Sequence, residues 1–432
     1  MNEYPYWWDT VGEPLLAGHE APAPNPQPTV PSSADAVIVG AGYTGLAAAR
    51  QLARAGAHVV VLEREHVGFG ASSRNGGQVL TGMKVEAAAL LARYGEARAR
   101  QLFDLACQSI DRVEALVREE SIDCEYSRVG HIQAAWKAQH FDAFREEQAL
   151  LARVFAHRVE LVPRTEQRSE IGSDVYHGLL VDERSGALNP AKYVQGLSRA
   201  AARAGATLIA GVSVASVRKS GDRWRVATSR GDIQARDVLF ATNGYSDRAA
   251  PALQRRLIPI GSYSIATEPL TAEQADALLP RRRMAFDSKN FLYYFRVTGD
   301  RRLLFGGRAE FSAPGPEATR HAAEILRRGM TTIFPDLAAT RIDYAWSGRV
   351  AFTRDQMPRA GLLGGAYYAG GYCGHGVALA THLGEQIARR MAGEPVDHPL
   401  FDDHFAAIPM YRGSPWFLPL VGAYYQVKDW LE

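Results

Sequence analysis

The segment Gly40-Ala41-Gly42-Tyr43-Thr44-Gly45 limits what this chain can fold into more than any other. It comes after the apolar run ADAVIVG, reads GxGxxG, and opens the alanine- and leucine-rich stretch YTGLAAARQLARAG. The run before it reads as a parallel strand buried on both faces, and the stretch after it as a helix stopped by Gly56. HVVVLERE supplies a second buried strand and completes a βαβ unit. Each glycine has a mechanical reason. Gly40 permits the tight turn, Gly42 lets backbone approach a pyrophosphate, and Gly45 lets helix and strand pack closely. The helix N-terminus then offers unpaired N–H groups and the positive end of its dipole to phosphates. Glu63 stands about twenty residues on, where an acid accepts from a ribose hydroxyl and argues against a 2′-phosphate.

With 432 residues the chain exceeds one compact core, so two domains are expected. Basic residues number 49 and acidic ones 47, and no like-charge block exceeds Arg281-Arg282-Arg283, so nothing points to nucleic acid. Cys107, Cys124 and Cys373 lie far apart, without a CxxC or His/Cys cluster, so neither a disulfide framework nor a metal site is expected. No signal-peptide pattern or bilayer-length apolar run is visible, which makes the cytoplasm the expected location.

The remaining pattern gives the architecture. Tyr4, Tyr6, Trp7 and Trp8 precede the proline-dense APAPNPQPTVP, which favours an extended polyproline-like path. The aromatics are expected to fold back over an apolar patch, with partner binding as the alternative. A long helical pattern begins after residue 85 and breaks at Gly95. Residues 130–136 read as a strand, the chain after Asn189 as helix and strand, and residues 224–239 as a hairpin. IGSYSIATEPL, FLYYFRV and RRLLFGG alternate apolar and polar residues, as in an antiparallel sheet with one wall facing a site. The expected fold is α/β, with a Rossmann-like FAD-binding domain and a second domain built on an antiparallel sheet. The first would be discontinuous over 34–84, 185–250 and 345–395. The second, a substrate domain, would take 85–184 and 251–344, leaving 1–33 as an aromatic and Pro-rich segment and 396–432 as a C-terminal extension.

The choice of FAD over NAD rests on the stretch beyond Glu63. Gly70-Ala71-Ser72-Ser73-Arg74-Asn75-Gly76-Gly77-Gln78 is a glycine-rich loop where an NAD enzyme enters another crossover helix. Such a loop brings backbone to a large planar ring, and Ser72, Ser73 and Arg74 suit phosphates. Near the end of the chain, Gly370-Gly371-Tyr372-Cys373-Gly374-His375-Gly376 opens the last long helix. A helix N-terminus aimed at a flavin's pyrimidine edge stabilises the charge that gathers there on reduction.

VIVGAGYTGLAAARQLARAGAHVVVLE, GFGASSRNGGQ, ATNGY, WSGRVAFT and GYCGHGVALA, in that order, resemble the D-amino-acid-oxidase-like flavoprotein superfamily. Within it the chain is most similar to the γ-glutamylputrescine oxidase and glycine/sarcosine oxidase branch. The resemblance implies FAD along the first glycine turn, Glu63-Arg64 and the 70–78 loop. It also implies backbone contact from Val214 near the adenine, Asn243-Gly244 near the pyrophosphate, and Gly348, Gly371 and Gly374-His375-Gly376-Val377 near the isoalloxazine. Members turn amines into imines that hydrolyse, and most pass the electrons to oxygen as hydrogen peroxide. Relatives that tether the flavin do so through a cysteine near WSGRVAFT. Ala351 and Phe352 stand there here, so non-covalent FAD is implied. The oxygen-activating lysine of those relatives is also missing from Arg301-Arg302-Leu303-Leu304-Phe305, with Lys289 as the candidate substitute, which leaves oxidase and dehydrogenase both open.

Hydride transfer from a substrate carbon needs a neutral amine, an aligned C–H bond and a dry cavity. Tyr263, Phe291, Tyr293, Tyr294, Trp346 and Tyr372 lie on segments expected to wall it. Arg296 and Arg308 are candidates to clamp a carboxylate, and His375 to bond the ring or the substrate. The expected substrate is a carboxylate-bearing secondary amine, an N-substituted glycine such as sarcosine or iminodiacetate, with O2 as acceptor. A γ-glutamyl polyamine-type amine is the alternative, and an amine dehydrogenase or electron-transfer flavoprotein subunit the reading of another class. The apolar C-terminal segment PWFLPLVGAYYQVKDWL is expected to pack on its own fold, with membrane docking as the alternative.

Overall fold

The computed structural model describes residues 1–12, 29–307, 315–418 and 422. Strand Ser33–Val39 stands at the centre of the first sheet, with Val37 and Ile38 wholly buried, as a parallel strand covered on both faces must be. It pairs in parallel with Val59–Leu62 on one side and Gly231–Phe240 on the other, placing Val39 opposite both Leu62 and Phe240. Thr207–Ile209 and Ala366–Gly370 extend the two flanks, also in parallel. Arg223–Thr228 folds back on Gly231–Phe240 from a turn closed by Thr228 and Gly231, which is the hairpin the pattern predicts. This Rossmann-like sheet is therefore gathered from distant stretches of chain.

The second sheet holds eight strands. Its neighbours are antiparallel except Met284–Asp287 beside His131–Ala134. Phe295, Phe305, Phe334 and the helix Pro316–Ile333 form the core on one of its faces. The fold is thus α/β with a separate β-sheet domain, as read from the sequence.

One expected boundary does not match the strands. Position 345 falls inside Ile342–Phe352, which pairs with Ile258–Thr267 from Ile342 opposite Thr267 to Phe352 opposite Ile258. A ladder that continuous keeps its strand in one sheet, so residues 345–352 go with the antiparallel sheet. The helix Ala87–Glu119 is interrupted at Gly95, whose φ of 73° and ψ of 169° are not helical. Residues 13–28, with most of the proline run, lie outside the described residues, as does most of the apolar C-terminal segment. The aromatic cluster before them forms the 3-10 helix Tyr6–Thr10, with Trp7 packed against Leu304, Tyr344 and Trp346.

Two contacts bring the glycine turns together. A Cβ on Gly45 would lie 2.0 Å from the Gly40 carbonyl oxygen, so helix Tyr43–Arg54 sits on the turn itself. A Cβ on Gly384, in the last helix Gly376–Met391, would lie 2.4 Å from the Thr44 carbonyl oxygen. Both obstacles are backbone, which cannot rotate aside. Gly384→Ala should therefore destabilise the fold by about 1–3 kcal/mol through overpacking. A urea titration checks this, and an unchanged midpoint would show the two helices free to separate.

Candidate active site

A cavity of about 650 Å³ runs between the two sheets. Its first part is made by the opening turn, where Gly40, Gly42, Tyr43 and Thr44 form the wall. Gly40 has φ +104° and stands against the Ala241 carbonyl, a conformation and a clearance that only glycine meets. Glu63 closes this end. One carboxylate oxygen accepts the Ala41 N–H at 2.9 Å and the other the Glu65 N–H at 3.1 Å. Burial raises the Glu63 pKa against the lowering effect of those N–H groups. Arg64, Val214 and Asn243 continue the wall.

The 70–78 loop forms the next stretch, and its side chains are mostly committed to holding its shape. Ser72 accepts the Tyr43 N–H at 3.0 Å, on the first helix turn. Ser73 is wholly buried and donates to the Gly68 carbonyl at 2.7 Å, so it faces away from the cavity. Arg74 lines the cavity, but its guanidinium donates to the carbonyls of Phe69 and Ser347. The phosphate role read for Ser73 and Arg74 thus meets groups already engaged with protein. Asn75 donates to the carbonyls of Ala71 and Ser72 and accepts the Gly77 N–H, folding the loop on itself.

Arg296 explains how the loop is held from behind. Its side chain is buried and donates to the carbonyls of Leu188 at 2.9 Å and Gly77 at 3.2 Å, with Gly76 at 3.5 Å. It is not among the cavity-lining residues. A guanidinium directed to two loop carbonyls and to the Leu188 carbonyl behind them supports the loop and does not clamp a carboxylate in the cavity. Arg308, the other candidate, lies outside the described residues.

The second glycine turn completes the site. Gly348 and the run Gly374-His375-Gly376-Val377 line the cavity. Gly371 does not. Its N–H is held at 2.9 Å by Asn243 Oδ1, so Asn243 ties the turn to the first sheet. Gly244 is also off the wall and stands against Arg349. Tyr372 lines the cavity and its hydroxyl meets Thr44 Oγ1 at 2.7 Å, a direct link between the two turns. Of the other aromatics expected as walls, Tyr294 lines the cavity and bonds Ser264 at 2.9 Å. Tyr263, Tyr293 and Trp346 belong to the core behind it.

Two buried polar atoms on the wall, Gln78 Nε2 and His375 Nδ1, have no protein partner. An orphaned donor or acceptor in a dry site carries a desolvation cost unless a bound group satisfies it. Together with the clearance at Gly40 and Gly42 and the acid at Glu63, this donor set fits a flavin adenine dinucleotide. Burial, with Lys84 and His131 adding to it, pushes the His375 imidazole down to about 3.

Comparison with known proteins agrees with the geometry. The family described as DAO: FAD dependent oxidoreductase matches residues 35–390. The chain belongs to this family. It is an FAD-dependent oxidoreductase. It is 34% identical over 432 residues to the probable oxidoreductase OrdL of Rhizobium meliloti strain 1021, covering 98% of this chain and 99% of the relative. The γ-glutamylputrescine oxidoreductase of Escherichia coli K12 is 33% identical over 403 residues, covering 91% of this chain and 92% of that one. Among solved structures, glycine oxidase from Geobacillus kaustophilus superposes with a TM-score of 0.72 at 20% identity, over 88% of this chain and 99% of that one. Among the described residues no His/Cys/Asp/Glu group could hold a metal, and no helix is long and apolar enough to cross a membrane.

Several wall residues were not singled out from the sequence. Lys84, His131, Glu147 and Asp287 all line the cavity. Lys84 carried one faint signal, a lysine between the apolar Met83 and Val85, both of which are buried. Glu147 carried none, because on a helix it reads as an ordinary solvated position.

Burial also holds the paired imidazoles His382 and His398 down, to about 4 and about 3. An unfolded chain protonates its histidines near 6.5, so it binds more protons than the fold between pH 6.5 and the depressed values. Stability is then fully present above pH 6.5 and falls as the pH drops through that window. His375→Gln removes one contribution and should flatten the decline of the denaturation midpoint between roughly pH 6.5 and 4. Parallel curves for the two proteins would show His375 titrating normally.

Proposed function

We propose that this flavoenzyme is an oxidase of a carboxylate-bearing amine, taking a hydride from the carbon beside the nitrogen and releasing an imine that hydrolyses. When bound, the FAD supplies the electron sink. The observation that carries the reading is Lys84. It lines the cavity close enough to the second glycine turn to lower the basicity of His375. Its ammonium is the cation this reading assigns to the substrate carboxylate, in place of Arg296. The neutral imidazole of His375 offers an uncharged hydrogen-bonding group beside the reacting centre, which favours an uncharged amine there. Tyr294 and Tyr372 supply apolar wall that keeps water out.

Lys289 supports O2 as acceptor. Its ammonium lines the cavity 3.1 Å from the buried carboxylate of Asp287 and stands 3.8 Å from the ring centre of Tyr293 and 4.1 Å from that of Trp136. Burial raises Asp287 to about 6, against the pull of Lys289. A fixed positive charge in such a cavity stabilises negative charge that develops on oxygen.

Two substrate classes fit this scheme. The simpler is an N-substituted glycine such as sarcosine or iminodiacetate. A γ-glutamyl polyamine-type substrate is favoured by a different feature, the apolar part of the wall made by Leu90, Phe103, Phe144, Leu151 and Leu180. Glu147 also lines the cavity, with no ion-pair partner among the described residues, and burial with the charges of Glu86 and Asp182 raises it to about 7. Apolar wall together with a carboxylate suits a longer chain bearing a second nitrogen. It is also in keeping with the γ-glutamylputrescine oxidoreductase relative.

Anaerobic titration with sarcosine, iminodiacetate, putrescine and γ-glutamylputrescine decides between the readings. Bleaching by a carboxylated amine that air reverses, with peroxide formed, is the expected result. Bleaching by none of them rejects the amine reading, and bleaching that air does not reverse makes the protein a dehydrogenase. Lys84→Met should raise KM for the carboxylated substrate about tenfold or more, the usual size of a lost charged contact, with FAD content unchanged. Lys289→Met should instead slow peroxide formation in air without weakening substrate bleaching.

A further inference from the structure

Three consecutive residues of the flavin loop each receive an indole N–H. Trp8 Nε1 donates to Ser73 Oγ at 2.8 Å, Trp346 Nε1 to the Arg74 carbonyl at 2.8 Å, and Trp7 Nε1 to the Asn75 carbonyl at 2.9 Å. Trp346 belongs to the antiparallel sheet, but Trp7 and Trp8 come from the 3-10 helix Tyr6–Thr10, far from the loop in sequence. That helix is itself secured on its N-terminal side. The Tyr6 hydroxyl donates to Asp300 at 2.6 Å, and Asn2 exchanges backbone bonds with Asp343 and Ala345 at 2.6 and 2.9 Å. The Arg74 guanidinium packs against both Trp8 and Phe69, 4.8 and 4.5 Å from their ring centres. From Ser73 the connection runs on to the first glycine turn, because Ser73 Oγ donates to the Gly68 carbonyl and the Gly68 N–H donates to the Ala41 carbonyl at 3.0 Å.

We propose that Trp7 and Trp8 are positioning residues for the cofactor, and that residues 1–12 act as a strap fixing the 73–75 backbone in its FAD-binding shape. The physical reason lies in when the loop becomes ordered. A loop reading Arg-Asn-Gly-Gly loses much conformational freedom when it settles, and glycine loses the most. If the loop ordered only as FAD arrived, that loss would be subtracted from affinity. Indoles already held by the antiparallel sheet move the loss into folding, so the cofactor meets a pre-shaped wall. Filling apolar space would not require the N–H groups to find acceptors on successive residues. A phenylalanine fills most of the same volume without that donor, which separates packing from positioning.

The test uses the full-length protein stripped of flavin and titrated with FAD by fluorescence quenching, with Trp8→Phe, Ser73→Ala and the double variant. Trp8→Phe should raise the FAD dissociation constant about five- to tenfold, the weight of one such hydrogen bond, and Ser73→Ala, which also loses the Gly68 contact, by at least as much. The flavin-free proteins should keep nearly the wild-type urea midpoint, and saturating FAD should restore the wild-type flavin absorption spectrum. The double variant should bind FAD no more weakly than Ser73→Ala alone, since Ser73→Ala already removes the bond that Trp8→Phe removes, together with the one to the Gly68 carbonyl. Unchanged FAD affinity in the single variants would overturn the proposal, as would effects that multiply in the double variant. Should Trp8→Phe fail to fold, Trp7→Phe removes the neighbouring indole donor to Asn75 without altering the loop and decides the question. None of these readings depends on which amine is oxidised, so they stand apart from the substrate assignment.

Discussion

Helix Tyr43–Arg54 touches backbone at two points where any side chain would intervene, and the rest of the site depends on that approach. On one side Gly45 rests on the Gly40 carbonyl, and on the other Gly384 brings the last helix onto the Thr44 carbonyl. The result is two glycine turns on one cavity, joined by the 2.7 Å contact between Thr44 and Tyr372. Two helix N-termini facing one cavity offer it their positive dipole ends, which suits an anionic cofactor. Without the two glycines the turns would stand apart, and no single dinucleotide could touch both.

Around this pair, the fold commits its strong hydrogen-bonding groups to backbone and leaves few of them free. Arg296, Arg74, Asn75 and Asn243 all hold loop carbonyls or N–H groups. An arginine with five donors is suited to several carbonyls at once, and in a dry interior it has no cheaper partner. The wall that faces the ligand is accordingly made mainly of backbone and apolar surface. Charged side chains also line it, among them Lys84, Glu147 and the Asp287–Lys289 pair held at 3.1 Å. A wall held in shape by such bonds suits the proposed hydride transfer, a reaction needing alignment and dryness more than proton traffic.

The parts of this arrangement that were legible in the sequence are local. The strand, glycine turn and helix around Gly42 carry a fixed spacing, as do Glu63, the 70–78 loop and the glycine turn before the last helix, because each must bring backbone to a phosphate or a ring within a few residues. Gly95 and the hairpin at residues 224–239 were legible for the same reason, since a break or a tight turn is written in neighbouring residues. The direction of an individual side chain was not. Arg296 and Ser73 read as ligand-facing because of residue type, yet each turns to protein, a choice made by chain segments more than a hundred residues away for Arg296 and by Trp8 and Gly68 for Ser73. Lys84 and Glu147 were missed for the converse reason: nothing nearby marks a surface-type residue that a second domain later covers.

The sequence by itself determined a Rossmann-like dinucleotide fold, a flavin cofactor and an antiparallel second domain, because short-range spacing and periodicity are sufficient to specify each. Tertiary structure alone decided which charges face the cavity, that the strand Ile342–Phe352 joins the second sheet, and that the tryptophans at the start of the chain reach the flavin loop. Those outcomes depend on contacts between segments far apart in the chain, and pairing at that distance leaves no periodic trace in the residues that make it.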